Sequence, residues 1–146
     1  MGKVLVISHD KMTATALPKR VQKLFPNIKI EGQHWPAGGG KTAAIAESDV
    51  SAALSVPDDT VDIVFLEANL YAPSSENPSF SSGFFTTHSN IYFVGFTGTD
   101  ACRTNLDNAT SANGNVYTPC INKGECPEEV AQSYAAWRGS LAAAQT

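Results

Sequence analysis

The sequence predicts an α/β protein: a doubly wound, five-stranded parallel sheet with helices on both faces, forming a three-layer sandwich. Three observations carry that expectation. Apolar runs of strand length recur at 3–8, 63–66 and 91–96, bounded by polar or turn residues, as parallel strands covered on both faces require. Stretches with helical spacing of apolar residues lie between strand-like runs. The central run, Asp62-Ile63-Val64-Phe65-Leu66-Glu67, ends on one carboxylate, and open parallel sheets gather their chemistry at the carboxyl ends of the strands.

Residues 3–8 (Lys-Val-Leu-Val-Ile-Ser) open as a buried strand. Asp10 is placed to cap a helix whose apolar stripe is Leu17, Val21, Leu24 and Phe25. Pro18 within it demands either a late start, with the proline in the first turn, or a kink. Pro26-Asn27 stops that helix, and 28–30 gives a short second strand. Residues 31–42, with Pro36 and three consecutive glycines, read as an enlarged loop. A helix over 43–54 follows, with Ile45, Val50 and Leu54 as its stripe, and Pro57-Asp58-Asp59 turns the chain into the central strand.

After a Pro/Ser loop over 72–78 comes a short, poor helix over 79–88 around Phe80, Phe84 and Phe85, weakened by glycine and hydroxyl residues. Residues 91–96 form the fourth strand and 100–109 a weakly patterned helix. Residues 115–118 are a short fifth strand running into Pro119, with a loop over 120–126. The last helix opens with Pro127-Glu128-Glu129, a proline and two acids suited to a helix start. Val130, Tyr134, Trp137 and Leu141 share one face of it.

A chain of 146 residues is one domain's worth and can build a core without staples. At 42% hydrophobic and 16% charged residues it has the composition of a soluble globular protein. Its formal net charge of −4 argues against nucleic acid as a partner, since phosphate binding needs concentrated Lys and Arg. No apolar run reaches the ~18 residues that span a bilayer, so no membrane association is expected. A strand pattern from Lys3 leaves no room for a leader. Three cysteines, Cys102, Cys120 and Cys126, are too few for a secreted disulfide scaffold. A cytoplasmic location is the expectation.

The punctuation of the strands resembles the response-regulator receiver (CheY-like) superfamily, within the wider flavodoxin-like group of folds. In receivers the first strand ends in two acids that hold magnesium; here Ser8 and His9 stand there, with Asp10 beyond. The third strand ends in the phosphorylated aspartate, and here the residue is Glu67. The fourth ends in Thr or Ser before a small residue, matched by Thr97-Gly98. The fifth follows an Ala-x-Gly stretch and ends in Lys-Pro. Here 112–119 keeps Gly114 and Pro119 but has Thr118 for the lysine, and Asn115 falls on the aromatic switch position. The resemblance covers nearly the whole chain apart from 31–42, and implies a single receiver-like domain over 1–146.

That pattern keeps the fold motifs and loses most of the chemistry. Magnesium wants carboxylate and water oxygens, which Ser8 and His9 do not supply. A lysine would hold the phosphoryl group as a point charge; Thr118 cannot. The resemblance thus implies a degenerate pseudo-receiver pocket of Ser8, His9, Asp10, Glu67, Thr97 and Thr118. In it Glu67 either imitates a phosphorylated aspartate or is a structural acid hydrogen-bonded to Thr97 or His9.

Other motifs carry plainer explanations. Gly38, Gly39, Gly40, Lys41 and Thr42 open the helix over 43–54 and form a candidate anion-binding loop. A true phosphate loop needs a glycine four residues before the Gly-Lys pair, and that position is Trp35. Zinc would want paired short spacings and further ligands; His34 and His88 lie elsewhere in the chain, so no metal and no cofactor is expected. A Cys120–Cys126 disulfide and inert thiols both remain open. No Gly-x-Ser-x-Gly nucleophile signature is present, and the chain is not expected to be an enzyme.

The expected function is that of a stand-alone, receiver-like protein that binds another protein without phosphorylation, in signal transduction or as an assembly subunit. In receivers the face of the fourth helix, fifth strand and fifth helix commonly serves, here about 100–109 and 115–141. The alternative is a flavodoxin-like nucleotide- or phosphate-binding protein using residues 38–42. A working receiver phosphorylated on Glu67 is a third reading.

Overall fold

The computed structural model describes residues 3–8, 11–34, 54, 61–67, 82–97, 114–122 and 125–144. Five strands, β1 (Lys3–Ser8), β2 (Lys29–His34), β3 (Val61–Glu67), β4 (Tyr92–Thr97) and β5 (Val116–Asn122), form one parallel sheet in the order β2-β1-β3-β4-β5. The described helices are α1 (Lys11–Leu24), α2 (Ser82–Thr87) and α3 (Glu128–Ala144). The expected doubly wound α/β sandwich is therefore the observed one. Its strand order reverses direction beside β1, and all strand ends that could carry chemistry lie on one edge.

Both faces of the sheet are covered, which explains why β1 and β3 are buried at every position rather than at alternate ones. Val4 and Val6 of β1, Ile63 and Phe65 of β3, and Val94 and Phe96 of β4 pack with Leu17 and Val21 of α1 and Val130 and Tyr134 of α3. The intervening residues Leu5, Ile7, Val64, Leu66 and Phe93 belong to the opposite face, where Phe85 of α2 meets Phe93 edge-on at 5.0 Å. Each large side chain so buried contributes about 1.5–3 kcal/mol. The periodicity of two that places Val6 and Phe65 toward α1 and α3 also carries Ser8 and Glu67 to that face.

Helix α1 runs from Lys11 through Pro18, so of the two expectations, a late start or a kink, the late start is not what the chain does. A proline inside a helix cannot donate to the carbonyl four residues back, and its ring crowds that carbonyl. Here the carbonyl is that of Ala14, and it lies beside Gly32 of β2. A Cβ added at Gly32 would sit 2.2 Å from the Ala14 oxygen and 3.0 Å from Pro18 Cγ. Glycine at 32 is thus the residue that lets the helix lie against the sheet. Gln22 then fixes the connection to β2, its Nε2 donating to the carbonyls of Phe25 at 2.8 Å and Ile28 at 3.0 Å.

Three boundaries differ from the sequence reading. The second strand continues to His34, so 31–34 belongs to the sheet and not to the enlarged loop. Pairing with β1 carries it: Leu5 faces Glu31 and Ser8 faces His34 in the register, and Lys3 of β1 meets Glu31 at 3.2 Å. The helix around Phe85 is described over Ser82–Thr87 and ends before the expected residue 88, while 79–81 lie outside the described residues. The fifth strand passes through Pro119 and Cys120 to Asn122, where the sequence suggested a stop and a loop. Its register against β4 slips between Val94, opposite Tyr117, and Phe96, opposite Ile121. An edge strand with such an irregularity tolerates a residue without an N–H. The expected helices over 43–54 and 100–109 fall, except for Leu54, outside the described residues.

Candidate functional site at the carboxyl edge

Strand register assembles the carboxyl edge. Ile7 of β1 faces Leu66 of β3, so the next residue along each strand is Ser8 and Glu67. Glu67 in turn faces Phe96 of β4, and Thr97 beyond it faces Asn122 of β5. Ser8 and Glu67 are both 0% exposed. Between them the Ser8 hydroxyl donates a hydrogen bond to Glu67 Oε1.

The two lie at the polar end of an apolar column: Val6 and Phe65 are the preceding residues on the same face, and Phe96, 0% exposed, flanks Glu67. An acid so placed has exchanged water for protein, which is costly unless hydrogen bonds replace the hydration. Sequence reasoning took Ser8 only as a missing metal ligand and Glu67 as a carboxylate at an edge outside the core. The structure makes Ser8 the donor to Glu67 and buries the acid completely. Linear spacing of 59 residues gives no hint of that pairing; strand order and register create it.

Of the other residues assigned to this pocket, His9 and Asp10 lie outside the described residues, as do Gly38, Gly39, Gly40, Lys41 and Thr42. Thr97 takes its expected place at the end of β4; its backbone is described and its side chain is not. Thr118 does not reach the edge. It lies within β5 after Tyr117, the partner of Val94, and Asn122 occupies the position beside Thr97. Reading Pro119 as the end of the strand caused this misplacement. Asn122 is exposed, and its side chain donates to Glu125 at 3.3 Å while its carbonyl accepts from the Glu125 N–H at 3.1 Å.

Asn115, matched to the aromatic switch position, sits instead at the amino end of β5 and is buried. Its Nδ2 lies 2.9 Å from the carbonyl of Phe85, 3.2 Å from that of His88 and 3.0 Å from that of Ile91. Its own carbonyl accepts from Phe93 N at 2.8 Å. It therefore closes the end of α2, where helix carbonyls lack intrahelical donors. His88, partly buried against Phe93 with ring centres 6.5 Å apart, has its pKa pushed down from the usual histidine value by that burial.

Among the described residues no group of three or more His, Cys, Asp or Glu comes together as a metal site. Cys126 carries a free thiol packed against the core, and burial lifts its pKa to about 11. Such a thiol is almost wholly protonated near neutral pH and unreactive. Within the described residues no helix is long and apolar enough to cross a membrane.

The whole arrangement is similar to a solved receiver domain. A response regulator receiver domain protein from Clostridium thermocellum superposes with a TM-score of 0.52 at 12% identity, covering 97% of this chain and 98% of that one. A fusion carrying the yeast Spc42 trimeric coiled coil superposes with a TM-score of 0.50 at 13% identity, covering 99% of this chain and 85% of the other. No protein-family model and no curated protein matches the sequence. The fold is receiver-like. At these identities the likeness concerns the fold alone, and the chemistry must be argued from the residues present.

Proposed function

We propose that this chain is a receiver-like interaction module that works without phosphorylation: a pseudo-receiver that binds another protein. The observation that carries the reading is the buried hydrogen bond from Ser8 to Glu67. In a working receiver the corresponding carboxylate must meet a phosphodonor and a metal ion. Here the acid is buried and its Oε1 is engaged by a hydroxyl from the neighbouring strand. Ser8 brings no charge with which to hold magnesium.

On this reading Glu67 holds the carboxyl edge in one arrangement, joining β1 to β3 by a side-chain bond in addition to the ladder. The partner would be read by the face of β5 and α3, as in the family that the fold resembles; the expected contribution of 100–109 lies outside the described residues. Neither catalysis nor a cofactor is part of the proposal. Incubation with acetyl phosphate and Mg²⁺ tests it directly: intact mass should show no added phosphoryl group. A phosphoryl adduct that disappears in Glu67→Gln would overturn the reading. For the binding half, a pull-down from the native source should recover the same partner with wild type, and less of it with Glu67→Gln. Equal recovery with a protein of unchanged stability would make Glu67 purely structural.

A further inference from the structure

We propose that the outer face of α1 is a docking surface for an acidic polypeptide segment, separate from the face of β5 and α3 and independent of the reading given for it. Charge is segregated along this chain. Residues 1–34 hold six of the ten Lys and Arg but two of the fourteen Asp and Glu, a balance of +4 in a protein whose formal net charge is −4. Four of those cations, Lys11, Lys19, Arg20 and Lys23, are exposed on α1, and the helix contains no carboxylate. In the strand that follows, Glu31 is taken up by Lys3 of β1 at 3.2 Å.

Helix stability does not explain this arrangement. Helical periodicity puts Leu17 and Val21 on the core and Lys11, Thr15, Lys19 and Lys23, each four residues from the next, on the opposite side. Lysines at i and i+4 repel, as Lys19 and Lys23 must. A cation in the first turn opposes the positive end of the helix dipole, and Lys11 stands there. Of the lysines, Lys23, in the last turn, suits the dipole. The helix therefore retains charges that work against its own formation, as surfaces that serve binding do. An anionic partner would relieve both conflicts.

Met12 narrows the class of partner. It is 80% exposed, the one large hydrophobic side chain so placed among the described residues. It lies beside Lys11 and two turns before Lys19 on the same side, and its adaptable thioether suits a partner's apolar side chain. A membrane surface would need an apolar helix face to sink, and the apolar stripe of α1 is buried against β1 and β2. Nucleic acid is held by aromatic platforms and Arg forks. Helix α1 has no aromatic residue, and three of its four cations are lysines. Carboxylates with an apolar residue among them match the face that is present. The acidic remainder of the molecule repels such a segment, so the field of the whole protein steers it toward α1.

The test is fluorescence anisotropy with a labelled peptide of glutamates carrying one leucine. The wild type should bind it, and binding should weaken as salt rises. Lys19→Gln with Lys23→Gln should weaken binding several-fold while raising the melting temperature of the free protein, because repulsion within the helix is removed. Met12→Ser should weaken binding several-fold and leave its salt dependence unchanged. Arg138→Gln removes the same charge from α3 and should leave binding at the wild-type level. Vesicles of mixed phosphatidylcholine and phosphatidylserine and single-stranded RNA serve as competitors; displacement of the peptide by either, at an equal concentration of anionic groups, overturns the choice of partner. Binding untouched by the two lysine changes, weakened equally by Arg138→Gln, or replaced by self-association on gel filtration overturns the surface.

Discussion

At the amino end of the sheet the buried polar side chain is Asn115, an amide facing three backbone carbonyls; at the carboxyl end it is Glu67, a carboxylate facing a side-chain hydroxyl. The first holds main chain to main chain. Its acceptors are fixed by α2, the turn after it and β4, and it is surrounded by ring contacts: Phe85 with Phe93, and His88 with Phe93. The second bonds side chain to side chain across two strands already paired by their ladder. A neutral amide with backbone partners can only stabilise. The carboxyl group bonds a side chain on the neighbouring strand, and it is this end of the sheet that the proposed function draws on.

Asn115→Asp is the most severe way to break the comparison. It replaces a donor by an acceptor against three carbonyl oxygens and buries a charge beside them. The expected cost is about 3 kcal/mol or more, read as a lower urea midpoint at unchanged slope. A loss well under 1 kcal/mol would mean that the amino end has a second, equivalent anchor.

Ser8→Ala should cost less, about 1–3 kcal/mol, because Glu67 loses one buried hydrogen bond without gaining a repulsive neighbour. Glu67→Gln keeps the shape and a hydrogen-bonding partner for Ser8, so the single change should be milder than Ser8→Ala. A double-mutant cycle over Ser8→Ala and Glu67→Gln separates the pair from its surroundings. A coupling of about 0.5 kcal/mol or more is expected for residues in contact; additivity would show that the two side chains do not act together.

The smallest effect belongs to Cys126, which lies on neither edge pair. Its thiol is neutral when protonated, and burial raises its pKa to about 11 in the folded chain, above the ~8.5 of an exposed thiol. Its contribution to stability is therefore complete below about pH 8.5 and is lost as pH rises toward 11. At pH 8 alkylation of the folded protein should be much slower than of the urea-unfolded protein. Equal rates would place the thiol in water.

Sequence patterning located β1, β3 and β4 because their apolar runs are long and their burial on both faces leaves few alternatives. It also placed α3, whose Val130 and Tyr134 pack on the core as their spacing demands. It found the two edge strands but ended both too early, for a common reason. Glu31-Gly32-Gln33 and Thr118-Pro119-Cys120 have the composition of loops, and only the ladder offered by β1 and β4 makes strands of them. Pro18 left a late start and a kink open, because helix propensity counts the lost hydrogen bond but not the glycine on another strand that makes room for the Ala14 carbonyl.

The residues at the strand ends, Glu67 and Ser8 among them, were legible in the chain. What those residues do to each other was not. Ser8 and Glu67 meet because β3 inserts beside β1 in this strand order and in a register that makes Ile7 and Leu66 partners. Asn115 becomes a clamp because β5 begins where α2 ends. Amino-acid type determined which chemistry the chain could carry, because donors, acceptors and charges belong to the residues themselves. Tertiary structure decided which donor met which acceptor and which of them lost its water, because hydrogen bonding and burial depend on neighbours that are remote in sequence.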